Sequence, residues 1–159
     1  MNCYKITLLS FFLLLFTGLS AQEVLNFGQW RDHLPYNNCK AMTMNGDMIY
    51  VATDYNIFTY NLSDYELRRI NKLTGLSDIV ISDIDFSKED NTLVIAYKNC
   101  NVDLYKEGEV VNIPDIKRKQ IIGDKTIYSI YIKDGLAYLS CGFGVVVVDI
   151  EREEIKSTW

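Results

Sequence analysis

The stretch LVIAYKNCNVDLY (93–105) joins two runs of β-branched and aromatic residues through a polar turn. Related phrases stand at MIYVATDYNIFTY (48–60) and LAYLSCGFGVVVVDI (136–150). A shift of 44 positions brings Ala52 onto Ala96, and Ala96 onto Ser140, always a small residue after an apolar run. The same shift aligns Val51, Ile95 and Leu139, then Phe58, Val102 and Val146, and upstream Met42, Phe86 and Ile130. No insertion is needed in any of these columns, so the chain repeats one structural unit three times.

Each unit divides into four short runs bounded by turn residues. Strands are expected at 40–45, 48–53, 57–61 and 67–71, with NGD (45–47) as a tight turn. The second set is 81–87, 92–97, 102–105 and 109–113; the third is 126–132, 136–140, 145–150 and 155–159. Nothing after the first 21 residues carries a helical 3.6-residue period, so the fold is predicted to be all-β. Four strands in every 44 residues is the pattern of a β-propeller blade, whose flanks are buried only by neighbouring blades. The predicted blades are approximately 40–78, 79–124 and 125–159, three four-stranded sheets around a common axis. The recurring small residue marks where the next blade packs closely.

Propellers typically close with four to eight blades. An uncovered flank of about 400 Å² would forfeit about 10 kcal/mol at ~25 cal/mol per Å². The expectation is therefore an incomplete, truncated propeller whose missing blades belong to the rest of a longer protein. Residues 22–39 form a lead-in, and a shift of one period from 67–71 places 23–27 as an outer strand latching onto a final blade.

Residues 1–21 read as a secretory signal: Lys5, an apolar run ITLLSFFLLLF (6–16), and a small-residue exit TGLSA. The run is well short of the ~20 residues that span a bilayer, and no cysteine stands at the cleavage point for lipid attachment. Export to the periplasm or cell surface is the expectation. The chain has net charge −5, and removing residues 1–21, which hold Lys5 and no acid, makes it −6. That balance argues against nucleic acid as a partner.

Beyond residue 21 lie Cys39, Cys100 and Cys141, an odd number at spacings that match no metal motif. Cys100 and Cys141 pair only if neighbouring repeats bring them together; buried free thiols are the simpler reading. His33 is the single histidine and lacks partners for a metal site or a catalytic triad. Asp83 and Asp85 share one strand face, and we expect a solvated edge there rather than a cation site. No catalytic residue, metal or cofactor is predicted, and the chain reads as non-enzymatic. Two basic clusters, Arg68, Arg69 and Lys72, and Lys117, Arg118 and Lys119, close the first and second repeats. They are the candidate ligand-binding residues, expected on adjacent blades toward one face, where they would meet the phosphates or carboxylates of an anionic glycan.

Thr74, Gly75, Leu76, Ser77 and Asp78, with the strand pair that follows, resemble the propeller repeat of two-component regulators, although TLVIAYKNC (92–100) lacks the usual Trp and Gly. Together with the opening GQWRDHLPYN (28–37), the chain resembles the N-terminal propeller family of PorZ, a component of the type IX secretion system of Bacteroidetes. That resemblance implies a surface protein that binds anionic lipopolysaccharide and works beside the secretion-system sortase. The alternative it leaves open is the periplasmic glycan-sensing propeller of a hybrid two-component regulator.

Overall fold

A computed structural model of the chain describes residues 36–159. The signal-like segment, His33 and most of the lead-in lie outside the described residues. Among the described residues, twelve strands form three separate antiparallel sheets, each a meander in chain order. The first contains β1 (Ala41–Asn45), β2 (Met48–Ala52), β3 (Ile57–Asn61) and β4 (Leu67–Ile70). The second contains β5 (Ile81–Ser87), β6 (Thr92–Tyr97), β7 (Val102–Lys106) and β8 (Glu109–Ile113). The third contains β9 (Ile127–Lys133), β10 (Leu136–Cys141), β11 (Gly144–Asp149) and β12 (Glu154–Thr158). The expected all-β propeller architecture of four-stranded units is what the chain adopts.

The hairpins follow from turn chemistry. Glu107-Gly108 and Asp134-Gly135 take positive φ at both central positions, the arrangement whose twist matches the flanking strands. Gly144 is required by crowding: at φ +141 a Cβ there would overlap the Trp159 carbonyl, which accepts from the Val145 N–H at 2.8 Å. Among the described residues, two short helical pieces interrupt the strand pattern. A 3-10 turn spans Lys72–Thr74, and a one-turn helix, α1, spans Asp115–Arg118. Asn71, expected as the end of a strand, instead caps the 3-10 turn: its side chain accepts from the Leu73 and Thr74 amides at 2.8 and 3.2 Å.

The first strands of the three sheets, β1, β5 and β9, lie side by side, so the sheets stack as wedges. Two apolar seams result. One holds Ala52, Ile57, Phe86, Leu93, Ile95 and Tyr97 between the first and second sheets. The other holds Val94, Ala96 and Val102 against Ala137, Leu139 and Val148 of the third. Every residue of β6 is buried, and its alternate side chains serve alternate seams, as strand geometry dictates. Ala52 and Ala96 of the small-residue column are fully buried against the following sheet, whereas Ser140 of the third sheet is exposed.

Asp83 and Asp85 are not a solvated edge. The Asp83 carboxylate accepts the Ile130 N–H of β9 at 2.7 Å, and Asp85 accepts from the Thr43 hydroxyl of β1 at 3.2 Å. Both are half-buried ties between wedges. Burial pushes the Asp83 carboxyl above its ordinary range, opposed by the Ile130 and Ile84 amides and reinforced by Asp85.

Candidate functional site

The connection from β4 to β5 carries the Thr74–Asp78 motif and is held by side-chain hydrogen bonds of Asn71, Lys72, Asn99 and Lys117. Gly75 reverses the chain at φ +122 and Leu76 drops into the first seam. The Ser77 amide then donates to Asp103 at 2.8 Å. Asp103 is a fully buried carboxylate on β7, facing the first seam. It also accepts from the Tyr97 hydroxyl and from the Asn112 amide, each at 2.7 Å. Burial, and then the Asp103 carboxylate, push the Tyr97 phenol far above its ordinary range, so it stays a donor. This network leaves one signal in the sequence, an acid in the middle of an otherwise apolar strand.

Asp78 turns the other way and accepts from Asn99 and Lys117, each at 2.6 Å. Burial raises its carboxyl, but the hydrogen bonds from Lys117 and Asn99 outweigh it and hold the group below the ordinary aspartate value. A folded value below the unfolded one stabilises above the ordinary range and is lost as pH falls through the folded value. Lys117 is partly exposed, so Lys117→Met is expected to cost only about 1 kcal/mol at neutral pH. The gap to the parent should close as the solution becomes acid enough to protonate Asp78 in both states. Urea unfolding at neutral and acid pH measures it, and a gap that persists in acid would assign the loss to packing.

The structure breaks up both basic clusters and brings one lysine of each to the same connection. Arg68 and Arg69 alternate on β4 and lie on opposite faces of the first sheet. Arg68 pairs with Glu66 at 2.8 Å and lines a cleft with Tyr50, Thr59 and Tyr105. Arg69 lies 4.9 Å above the ring of Tyr36, which packs edge-on against Phe58. Lys72 donates to the Ser77 carbonyl at 3.2 Å, beside the residue that holds Lys117. Lys72 and Lys117 thus both fasten the Ser77–Asp78 connection.

Arg118 and Lys119 remain together. They rim a cleft of about 470 Å³ between α1 and the outer strands of the third sheet. Its floor is apolar, with Ile116, Ile121, Phe143, Val146 and Ile155, and Asp115 is its one acid. Lys125 anchors this rim by donating to the Ile116 and Lys117 carbonyls at 3.3 Å and to that of Lys119. The opposite charge lines a second cleft, about 380 Å³, where Asp90, Glu107, Glu109, Glu151 and Glu153 surround Lys106. The two clefts thus carry opposite charge at their rims. No group of metal-ligating side chains occurs among the described residues.

Residues 49–159 match the family model described as TSS9, PorZ, N-terminal beta-propeller domain. Among solved structures the chain is similar to PorZ of Porphyromonas gingivalis, described as an essential bacterial surface component of the type-IX secretion system. That match has 27% identity and a TM-score of 0.73, and covers 77% of this chain and 17% of the other. It is also similar to the extracellular domain of the hybrid two component system BT4673 from B. thetaiotaomicron, with 18% identity, TM-score 0.63, and 81% and 18% of the two chains covered. The computationally designed Ika4 protein shares 13% identity at TM-score 0.59, over 87% of this chain and 79% of that one. The last two show the fold alone. The chain spans less than a fifth of the two natural structures. No curated protein matches it by sequence.

Proposed function

Because the chain belongs to the PorZ N-terminal β-propeller family, we propose that it is an exported, non-enzymatic recognition module of type IX secretion. In this reading it acts at the cell surface on anionic lipopolysaccharide, with the secretion-system sortase as a protein partner. Export is supported by the signal-like residues 1–21 and by the surface and extracellular descriptions of its structural relatives. The observation that carries ligand recognition is the Arg118–Lys119 rim over an apolar floor. Guanidinium and ammonium groups bind phosphate or carboxylate, and the floor accepts the carbon faces of sugars or an acyl chain.

Reversing the rim, Arg118→Glu with Lys119→Glu, is expected to weaken binding of purified anionic lipopolysaccharide by about tenfold or more, and to flatten its salt dependence. Reversal of Arg68 and Arg69, which occupy other faces, should change it little. Binding by biolayer interferometry decides this. An affinity unchanged when all four residues are reversed would remove the anionic-ligand reading. Binding of a neutral oligosaccharide alone would favour the glycan-sensing alternative, which the resemblance of Thr74–Asp78 to regulator repeats also supports.

A further inference from the structure

Cys100 and Cys141 come from neighbouring wedges and meet in the second seam. Cys100 occupies the turn between β6 and β7 with a left-handed φ of 63°, and Cys141 is the last residue of β10. Both are buried, and both belong to the apolar cluster that joins the second sheet to the third. Both side chains are packed into this one cluster, and the Cys141 thiol donates to the Leu139 carbonyl at 3.6 Å. Cys39 is exposed and lies outside this cluster.

Two buried thiols brought into one apolar cluster from two independently hydrogen-bonded sheets are placed to become the two halves of a cross-link. We propose that Cys100 and Cys141 form a disulfide that staples the second wedge to the third once the chain reaches an oxidising compartment. This rests on the export reading given above, since disulfides persist outside the cytoplasm and not within it. The chemistry is exchange with a disulfide-bearing oxidant, whether a protein or a small molecule. The neighbouring Cys141 lowers the Cys100 pKa, and Cys100 together with burial raises the Cys141 pKa, so Cys100 is the first thiolate. Its sulfur attacks one sulfur of the oxidant, and the other leaves as a thiolate that takes up a proton. Cys141 then loses its proton and attacks the Cys100 sulfur of the mixed disulfide, expelling the second thiolate. The protein has given up two electrons and two protons, and the oxidant has become a dithiol or two thiols. Because Cys100 is fully buried, the oxidant reaches it through local opening of the turn between β6 and β7 in the otherwise formed seam. The bond closes a loop spanning two adjacent wedges, which restricts the unfolded chain and holds the seam in register.

The test uses the full chain refolded in oxidised or in reduced glutathione, then denatured and alkylated. The expected oxidised product has lost the mass of two hydrogens, yields a linked peptide containing Cys100 and Cys141, and leaves Cys3 and Cys39 labelled. Its unfolding midpoint should lie several degrees above that of the reduced sample, and Cys141→Ser should erase the difference. Full alkylation of both seam cysteines after oxidation would overturn the proposal, and so would a linked peptide containing Cys39. The measurement needs no export, so a chain that stays in the cytoplasm would defeat the export reading without touching this result. A Cys39→Ser variant that still forms the bond excludes shuffling through the exposed thiol.

Discussion

Asp103→Ala is expected to destabilise the chain by about 3–5 kcal/mol, read as a lower urea midpoint at unchanged slope. The magnitude follows from what the carboxylate leaves behind. Asp103 is fully buried and accepts from three donors: the Ser77 amide, the Tyr97 hydroxyl and the Asn112 side chain. Asn112 keeps the Asn101 side chain at 3.0 Å and the Val102 carbonyl at 3.2 Å. The other two donors lose these acceptors inside the seam, at about 1–3 kcal/mol each, and a small cavity adds to the loss. Tyr97→Phe removes a single donor and should cost about 1 kcal/mol. A double-mutant cycle between Asp103→Ala and Tyr97→Phe should show coupling of about 1 kcal/mol or more, since they share one hydrogen bond. Additive losses would mean that Asp103 acts through the Ser77 connection alone. Asp103→Asn is the discriminating variant: it keeps one acceptor oxygen but turns an NH₂ toward a donor, so it should fall between the parent and alanine.

The strands were legible because their ends are written in residues with one conformational use. Glu107-Gly108 and Asp134-Gly135 announce two-residue hairpins, and the 44-residue columns fix the strands between them. Arg68 and Arg69 looked like one cluster because sequence distance ignores alternation; on β4 they point to opposite faces. Lys117 seemed free because its partner, Asp78, stands 39 residues earlier, in the connection before the second wedge. Asp103 was invisible for the same reason, since its Ser77 donor lies 26 residues away. Cys100 and Cys141 are not equivalent under the repeat; a shift of 44 sets Cys141 over Tyr97. Only the stacking of wedges makes them face each other. Periodicity thus reports what each wedge is, and is silent on which side chains meet across a seam.

Phe86→Ala tests that distinction directly, and should cost about 3–4 kcal/mol. Phe86 shares a repeat column with Met42 and Ile130, so a stability carried by the wedges themselves would make the three positions respond alike. Burial says otherwise. Phe86 is 8% exposed and Met42 is 67% exposed, because the first wedge covers Phe86 while Met42 looks away from that seam. The Phe86 ring stacks on Tyr50 with centroids 5.2 Å apart and planes 23° from parallel. The seam cannot close over the space the ring would leave. The two sheets are pinned by the Ile81 amide to the Asp54 carbonyl at 3.0 Å, and by Thr43 to Asp85. Met42→Ala removes a comparable volume from an exposed surface and should stay within about 0.5 kcal/mol. Phe86→Leu should recover much of the loss by refilling the cavity without the ring contact. Thermal and urea unfolding of the three variants read out the comparison. Equal losses at 42 and 86 would mean that the outer flank of the first wedge is covered in solution; a large loss at 86 alone places the folding energy in the seams.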